Sequence, residues 1–337
     1  MSDGLKVGII GAGRMAYWHL RGYQKIKGVD IVGIAGRTGT NVETLQRKFN
    51  IPNGYTDYRV MLEKQRPDAI NVTTPTYTHC PIVIDGLTSG CHVLCEKPMA
   101  MTMEEAERMI KTEKSTGKIL MIGFSQRFYK EFVSMKEIID QGKLGNIKVA
   151  WFRRGISMPP QKWYSEKEKS TGVTCELAIH GIDWLRWIME SPVVQVSAEL
   201  TEHALYPGID DNMWMILKFE NGALGIVGAS YTFPFLKRDI GVIGEKMALT
   251  VERSKVVAET YSDYSLARLV LKFIQYSLII PYWLYYNPFQ RELEHFIGCI
   301  RTATPPVTSS EDGKVSLAIA LKALESARSG RKINLGQ

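Results

Sequence analysis

The sequence predicts two domains: an α/β domain with a doubly wound parallel sheet, then an α+β domain built on a predominantly antiparallel open sheet. The chain has 337 residues, more than one ordinary domain holds. Short apolar runs alternate with helical patterns up to residue 123, which is typical of a parallel sheet with helices on both faces. After residue 123, longer alternating runs follow one another with few helices between them.

The first domain is predicted to span residues 1–123, with buried strands separated by amphipathic helices. The apolar runs that predict strands are 5–10, 30–35, 69–72, 92–95 and 119–122, and the helical patterns are 14–26, 40–49, 77–88 and 102–116. Two of these helices begin with a capping pattern, in which a threonine precedes a glutamate by three positions: Thr40 with Glu43, and Thr102 with Glu105.

The second domain is predicted to span residues 124–337. Its pattern indicates helices at 128–141 and 311–328 and strands at 147–154, 193–200, 213–219, 223–231 and 240–251. Asn221-Gly222 is a hairpin signal between two of these strands, and Gly330 is expected to end the last helix.

An apolar arm at about 265–289 stands out in this domain. Residues 273–290 carry no charge, and this length reaches the threshold for considering a membrane span. Pro281 and Pro288 within the run, and the lack of flanking spans, argue against membrane contact. We therefore expect the arm to be buried against a partner subunit or against the other domain.

The composition excludes several classes of function. The chain is 45% hydrophobic and 23% charged, which is typical of a globular protein and not of a disordered one. The net charge is +7, but basic and acidic residues are interspersed, so nucleic-acid binding is not expected. An odd number of cysteines, five, without a signal peptide or metal-ligand spacing, predicts reduced thiols in the cytoplasm and no metal site.

A glycine-rich turn directly follows the first predicted strand and opens the first helix. Its residues are Gly11, Ala12, Gly13, Arg14, Met15 and Ala16. Gly11 permits the tight turn, Gly13 lets the backbone approach a pyrophosphate, and Ala16 lets the helix pack closely on the sheet. The amides at the helix N-terminus can then hold the diphosphate. The sequence therefore predicts a dinucleotide-binding domain of the Rossmann type.

The end of the second strand predicts which dinucleotide is bound. A site that prefers NAD(H) places Asp or Glu there, whereas this chain has Gly36, Arg37 and Thr38, and Asp30 lies at the other end of the strand. Gly36 leaves room for a 2′-phosphate, Arg37 can pair with it, and Thr38 can donate a hydrogen bond. We therefore expect NADP(H) to be favoured over NAD(H). The alternative is that Arg37 is only a solvated loop charge.

Four further motifs carry a resemblance to a known family. They are Thr74-Pro75 followed by His79, then Glu96-Lys97-Pro98, then Gly123-Phe124-Ser125-Gln126-Arg127-Phe128, and residues 172–183. Together with the glycine-rich turn, they resemble the glucose–fructose oxidoreductase, inositol dehydrogenase and rhizopine-catabolism (Gfo/Idh/MocA) family of NAD(P)-dependent oxidoreductases. The resemblance implies hydride transfer at a secondary alcohol or ketone of a sugar, sugar derivative or cyclitol. It also implies a homo-oligomer, dimer or tetramer, and a cofactor lying along Thr73, Thr74, Pro75, His79, Glu96, Lys97 and Pro98.

Oxidation of an alcohol needs a base for the hydroxyl proton and a cation for the developing alkoxide. Lys97 can supply the charge, and His180, which titrates near neutral pH, can exchange the proton. Glu176, His180 and Asp183 are spaced by four and three positions, so one helix face can carry all three and a carboxylate can orient the imidazole. The family usually has Asp at the position of Glu176, so the carboxylate here reaches one methylene further.

The substrate pocket is predicted to include Lys97, Glu176 and His180, with two further residues as walls. Sugars combine hydroxyl groups, which suit forked donors, with apolar faces, which suit aromatic rings. Arg127 and Trp163 provide these two chemistries. The alternatives are that Arg127 forms an ion pair and that Trp163 is a core aromatic residue.

Two other functions fit the same fold. One is a non-catalytic dinucleotide-sensing regulator, which would have no need of the proton-transfer groups Lys97, Glu176, His180 and Asp183. The other is a redox-neutral sugar lyase, epimerase or glycosidase, in which the cofactor is reduced transiently and then regenerated. The latter would show no net reduction of cofactor during turnover.

Overall fold

The computed structural model describes residues 4–159, 161–202, 208–260 and 287–336, which form two compact units. The first comprises Met1–Ser125, Gln161–Thr171 and Pro288–Ala318, and the second comprises Gln126–Pro160, Gly172–Asn287 and Ile319–Gln337. The predicted boundary at residue 123 lies close to the first crossing between units. Residues 161–171 and 288–318, which the prediction assigned to the second domain, group with the first unit.

The first unit contains a six-stranded sheet in which every pairing is parallel. Its strands are β1 (Leu5–Ile10), β2 (Val29–Ala35), β3 (Gly54–Tyr55), β4 (Ala69–Val72), β5 (His92–Glu96) and β6 (Leu120–Gly123). The spatial order is β3-β2-β1-β4-β5-β6, so the winding reverses between β1 and β4. Ligands of such sheets bind outside the carboxyl ends of the strands at this switch point. All the predicted strands of this sheet are confirmed, and only the short edge strand β3 was not predicted.

Five helices connect these strands. They are α1 (Arg14–Tyr23), α2 (Gly39–Phe49), α3 (Tyr58–Gln65), α4 (His79–Thr88) and α5 (Met103–Thr116). The helix predicted from residue 77 begins instead at His79, after a 3₁₀ turn over Thr76–Thr78. The sequence did not predict α3, because only Met61 and Leu62 of this helix are buried and its apolar periodicity is therefore weak.

The two predicted capping patterns have different outcomes. Thr102 caps α5, since its hydroxyl accepts a hydrogen bond from the Glu105 N–H at 3.2 Å. The Glu105 carboxylate in turn accepts from the Met101 N–H at 2.9 Å. The Thr40 cap was wrong, because α2 begins one residue earlier, with Thr38 at the N-cap, and Thr40 lies inside the helix.

The second unit contains an eight-stranded sheet with a single parallel pair. Its strands are β7 (Ile147–Ser157), β8 (Val193–Glu202), β9 (Asp210–Phe219), β10 (Leu224–Ser230), β11 (Thr232–Gly244), β12 (Met247–Glu252), β13 (Lys255–Thr260) and β14 (Ile333–Asn334). They lie in the order β13-β12-β11-β7-β10-β9-β8-β14, and β7 pairs with β10 in parallel. The predominantly antiparallel sheet that the sequence predicted is confirmed.

One connection in this sheet was predicted correctly and another was missed. The Asn221-Gly222 hairpin joins β9 to β10, with Gly222 at a φ of 84°, as predicted. The single strand predicted over 240–251 was wrong, because β11 ends at Gly244 and β12 begins at Met247. The two residues between them, Glu245-Lys246, lack the Asn-Gly type of signal that marks a tight hairpin.

Helix α6 (Lys130–Asp140) and helix α7 (Ile179–Met189) complete the core of the second unit. Phe132, Phe152 and Trp184 form its aromatic centre, with ring centroids 5.5–6.2 Å apart. Helix α7 packs closely on the sheet because Gly181 has no side chain. A Cβ at this position would lie 2.8 Å from the Phe152 ring and 2.9 Å from Val227.

Helix α8 (Pro288–Thr302) packs against α1, and helix α9 (Ser310–Ser329) ends at Gly330, whose φ is 65°, as predicted. Residues 261–286, which hold most of the predicted apolar arm, lie outside the described residues. Among the residues that are described, no helix has the length and apolar character needed to cross a membrane.

Replacing Thr102 by alanine removes the hydroxyl acceptor at the start of α5. We expect Thr102→Ala to lower the free energy of unfolding by about 1 kcal/mol in chemical denaturation. Thr40→Ala is the matched control, because Thr40 is also exposed but caps nothing, so its change should stay within about 0.5 kcal/mol. Equal losses in the two variants would contradict the assignment of the caps.

Candidate active site

The glycine-rich turn after β1 is built around Gly11. Its φ is 110°, and its N–H donates to the carbonyl oxygen of Ala35 at 2.8 Å. A Cβ at Gly11 would lie 2.7 Å from the carbonyl carbon of Thr73, the residue that follows β4. Both the backbone conformation and this close approach require glycine. The turn therefore joins the carboxyl ends of the two strands at the switch point.

Gly13 stands at the N-cap of α1 and leaves open space beside the first amides of the helix. Among the described residues, no atom other than those of Gly13 and its chain neighbours lies within 4 Å of the position that a Cβ on Gly13 would take. Arg14 and Met15 form the first turn, and Ala16 is fully buried against the sheet. The chemistry of this opening at a helix N-terminus fits the diphosphate of a nicotinamide dinucleotide.

The loop after β2 carries the residues that were expected to select the dinucleotide. A Cβ on Gly36 would lie 2.9 Å from the Cβ of Ala12 in the glycine-rich turn, so an acidic side chain does not fit there. Arg37 and Thr38 are exposed, and the Thr38 side chain does not cap α2. Glu166 lies close enough to Arg37 for the guanidinium charge to act on its carboxylate. The pKa of Glu166 is lowered, first by its hydrogen bond to Lys169 and to a lesser degree by Lys162 and Arg37.

His79 joins the loops that follow β4 and β5. It is 1% exposed, with Nδ1 2.8 Å from the carbonyl oxygen of Pro98 and Nε2 2.9 Å from that of Thr74. Burial lowers the pKa of His79, whereas the two carbonyl oxygens act in the opposite direction. The buried ring of His79 therefore contacts the main chain of both Thr74 and Pro98, two of the residues predicted to line the cofactor.

Glu96 also points into the protein. Its Oε1 lies 3.0 Å from Nε2 of His19, and its Oε2 accepts from the Lys97 N–H at 3.2 Å. His19 Nδ1 lies 2.5 Å from the side-chain nitrogen of Asn71, and the Asn71 oxygen accepts from the Tyr23 hydroxyl at 2.9 Å. Apart from the main chain of Lys97, these partners come from α1 and β4. The chain of bonds fixes the end of β5 just before Lys97.

Lys97 itself is half-buried at the carboxyl end of β5 and precedes Pro98 through a cis peptide bond. Its main chain is held by Glu96, and the carbonyl of Pro98 is held by His79. The ammonium group is therefore carried by a loop that is fixed on both sides. This loop lies at the carboxyl end of β5, next to the strand pair at which the strand order reverses.

In the second unit, the motif at 172–183 forms a π-helical turn, Thr174–Ala178, that leads directly into α7. Glu176 is 3% exposed on the π-helical turn, and His180 is 7% exposed on the first turn of α7. Asp183 follows one turn later and is fully buried. The spacing of Glu176, His180 and Asp183 suggested one α-helix. Instead, Glu176 lies on a π-helical turn, and His180 and Asp183 lie on the α-helix that follows it. A π-helical turn of this kind is common at functional sites.

Asp183 forms a buried ion pair with Arg127. Arg127 Nε and Nη2 donate to the two carboxylate oxygens at 3.0 and 2.5 Å, and the guanidinium carbon lies 5.9 Å from the centre of the Trp187 ring. Both side chains are almost fully buried. The ion-pair alternative for Arg127 is therefore realised, and Asp183 holds α7 to the 3₁₀ turn at Ser125–Phe128.

Asp210, at the start of β9, anchors the beginning of the π-helical turn. Its Oδ2 accepts from the Thr174 N–H at 2.8 Å and from the Thr174 hydroxyl at 2.5 Å. Gly172 has a φ of 67°, and a Cβ there would lie 1.7 Å from Asp210 Oδ1. Burial raises the pKa of Asp210 despite the bonds from Thr174, which lower it. Gly172 and Asp210 together set where the turn that carries Glu176 begins.

The remaining predicted residues divide between the units. Trp163 lies in a 3₁₀ turn of the first unit, half-exposed, and stacks on Tyr164 with ring centroids 3.8 Å apart.

The five cysteines carry free thiols and are buried. Within the described ranges no cluster of His, Cys, Asp and Glu has the arrangement of a metal site.

Comparisons with known proteins agree with this architecture. Residues 5–124 match an oxidoreductase family with an NAD-binding Rossmann fold, and residues 132–250 match the GFO/IDH/MocA C-terminal domain. The chain belongs to the Gfo/Idh/MocA oxidoreductase family. It is an NAD(P)-dependent oxidoreductase of the sugar or inositol dehydrogenase type.

Similarity to members of the Gfo/Idh/MocA family extends over the full chain. It is 27% identical over 337 residues to myo-inositol 2-dehydrogenase of Thermotoga maritima, covering 98% of each. It is 26% identical over 345 residues to scyllo-inositol 2-dehydrogenase (NAD(+)) of Bacillus subtilis, covering 99% of this chain and 97% of the relative. The WlbA dehydrogenase of Bordetella pertussis, solved with NADH and UDP-GlcNAcA, has the same fold, with a TM-score of 0.87, 23% identity and coverage of 100% and 99%.

Several residues that shape this Gfo/Idh/MocA site were not predicted from the sequence. His19, Asn71 and Glu292 are buried polar groups on elements whose apolar pattern gave no reason to single them out. Asp210, which precedes the strand predicted at 213–219, was not singled out either. The signal that could have found them is a charged or imidazole side chain at an inward-facing position, which requires a buried partner.

Proposed function

We propose that this protein is a dehydrogenase or reductase for a secondary alcohol or ketone on a sugar, sugar derivative or cyclitol. The observation that supports this most strongly is that the Lys97 loop is held on both sides, by Glu96 and His79, at the carboxyl edge of the sheet that also carries the glycine-rich turn. The inositol dehydrogenases named above suggest the substrate class. When bound, the nicotinamide cofactor exchanges a hydride with the carbon that bears the reacting oxygen.

The residues of this chain would handle the proton and the charge on that oxygen. The Lys97 ammonium stabilises negative charge that develops on the oxygen during oxidation. His180 takes up the hydroxyl proton during oxidation and returns it during reduction. Glu176 stabilises the charged form of the imidazole, and Asp183 acts through Arg127 by holding α7 in place. Asp183 and Arg127 are therefore positioning residues in this proposal.

The cofactor is proposed to be NADP(H) in preference to NAD(H). Gly36 excludes a carboxylate from the position next to the glycine-rich turn, and exposed Arg37 follows it. The B. subtilis relative is named for NAD(+), so the relatives do not argue for this preference. Arg37 carries the proposal because a guanidinium can pair with a 2′-phosphate.

Proton transfer is tested with Lys97→Ala and His180→Ala, assayed with each nicotinamide cofactor on a panel of polyols, sugars and keto-sugars. Each substitution should lower kcat by about 10²–10⁴-fold while cofactor affinity changes little. The double variant should lose less than the product of the single losses, because the two residues act in one step. Losses below about tenfold in either single variant would contradict a direct role for that residue.

Cofactor choice is tested by measuring the affinity of Arg37→Ala for both dinucleotides by calorimetry. We expect NADP(H) binding to weaken by about 1.5–3 kcal/mol, through loss of a charge-assisted phosphate contact, while NAD(H) binding changes much less. Arg47→Ala, an exposed arginine later on α2, serves as the control. A wild-type preference for NAD(H), or equal losses for both cofactors, would refute the proposal.

Assembly into a homo-oligomer is proposed through the outer face of the second sheet. Trp214 and Ile216 on β9 are 48% and 50% exposed, and Leu224 on the adjacent β10 is 40% exposed. A contiguous apolar face of this kind is typical of an interface. Ile216→Glu should shift the sedimentation coefficient toward the monomer, whereas Val307→Glu, in the first unit, should not. A wild-type protein that is monomeric at micromolar concentration would overturn this.

A further inference from the structure

Glu292, in α8, is a fully buried carboxyl group that the proposed reaction does not use. Neither of its oxygens has a hydrogen-bond partner among the residues that the structure describes. It lies close enough to Glu96 and to Tyr23 for the charges of these groups to interact. A buried ionised carboxylate without donors is strongly destabilising, so the protonation state of Glu292 has consequences for its surroundings.

The titratable groups that interact with Glu292 are Tyr23 of α1 and Glu96 of β5, both in the first unit. Glu96 is followed by Lys97 and lies 3.0 Å from His19 of α1. Asn71 of β4, which carries no charge, contacts the other ring nitrogen of His19. On α8 itself, Glu294 is exposed and His295 is partly buried. The two carboxyl groups buried in this cluster are therefore Glu96 and Glu292.

The hydrogen bonds decide which of the two carboxyl groups keeps the proton. Glu96 has two nitrogen neighbours, Nε2 of His19 at 3.0 Å and the Lys97 N–H at 3.2 Å. With the Asn71 amide donating to His19 Nδ1, the imidazole proton lies on Nε2 and points at Glu96. Both donors of this site therefore point at the Glu96 carboxylate, and none of the described residues donates to Glu292. Burial, and to a lesser degree the charge of Glu96, raises the pKa of Glu292 well above its ordinary value.

We propose that Glu292 is a positioning residue that remains a neutral carboxylic acid beside Glu96, so that the negative charge stays on Glu96 and holds the main chain of Lys97. Two carboxylates in one buried site do not both ionise readily, because like charges repel strongly where water is excluded. Loss of the proton from Glu292 would set a second charge against Glu96 and loosen its bonds to His19 and Lys97. The link to catalysis rests on the function proposed above for Lys97.

A raised pKa in the folded state has a defined effect on stability. Between the ordinary pKa of a glutamate and the raised one, the folded chain holds a proton that the unfolded chain has lost. The free energy of unfolding therefore falls as the pH rises through this window. Glu292→Gln keeps the shape and neutrality of the acid and removes this dependence, whereas Glu292→Leu keeps neutrality but lacks the polar group. Glu294→Gln makes the same change at an exposed position of the same helix.

The test compares the melting temperatures of the full-length wild type and the three variants across pH. Relative to wild type, Glu292→Gln should gain in melting temperature progressively as the pH is raised above the ordinary range of a carboxyl group. Glu294→Gln should show no such progressive gain. In infrared spectra at neutral pH, the wild type should show the C=O band of a protonated carboxylic acid, and Glu292→Gln should lack it. Identical pH profiles for wild type and Glu292→Gln, or an unchanged infrared band, would overturn the proposal.

The pH profile of kcat distinguishes a positioning role of Glu292 from a role in packing alone. Glu292→Gln should retain kcat within a few-fold of wild type at neutral pH and move the alkaline limb of the profile to higher pH. Glu292→Leu should likewise retain kcat at neutral pH and move the alkaline limb to higher pH, because leucine is also neutral and the oxygens of Glu292 have no hydrogen bond to lose among the described residues. An alkaline limb that stays at the wild-type pH in both variants would refute the positioning role. Failure of the proposed function would appear differently, as normal turnover in Lys97→Ala, and the melting and infrared results do not depend on it.

Discussion

Burial of the Glu96 carboxylate is the constraint on which the candidate site in the first unit depends. A buried carboxylate must be matched by donors, and here they are His19 and the main chain of Lys97. Hydrogen bonds to charged groups contribute about 1.5–3 kcal/mol each, so the end of β5 has little freedom. His79 fixes the next residue, Pro98, to the loop after β4. The main chain at Lys97 is therefore held by polar contacts that face inward.

The second unit uses a buried ion pair for the same purpose. The fork between Arg127 and Asp183 ties α7 to the segment that follows β6, while Gly181 lets α7 lie close to the sheet. Taking both charges out of water has a large desolvation cost, and removing one partner typically destabilises a protein by about 3–5 kcal/mol. Because two parallel hydrogen bonds join the side chains, the pair fixes their relative position. Asp210 and Gly172 fix the other end of the same element, so His180 and Glu176 lie between two anchored points.

The sequence predicted the strands of the first sheet and the dinucleotide turn well, because both depend on local features. Apolar runs mark buried parallel strands, and Gly11 is required by a positive φ. The split of 240–251 into two strands was missed, since Glu245-Lys246 carries no turn signal. Glu96 and His79 were expected along the cofactor, and Asp183 was expected to support the His180 imidazole. The structure shows in addition that Glu96 contacts His19, that His79 contacts two main-chain carbonyl oxygens, and that Asp183 pairs with Arg127. Such pairings depend on contacts between residues far apart in the chain, such as His19 with Glu96, which periodicity does not reveal.

The Lys97 loop, held on both sides, is proposed to serve hydride transfer. This role is tested most directly by following deuterium from sugars and cyclitols labelled at their carbinol carbons, using mass spectrometry of the cofactor after turnover. Deuterium from at least one of these substrates is expected to appear in free reduced nicotinamide. Label that returns to the sugar product, with no net cofactor reduction, would indicate a redox-neutral enzyme. A protein that binds the dinucleotide but transfers no label from any substrate of the panel would contradict the account.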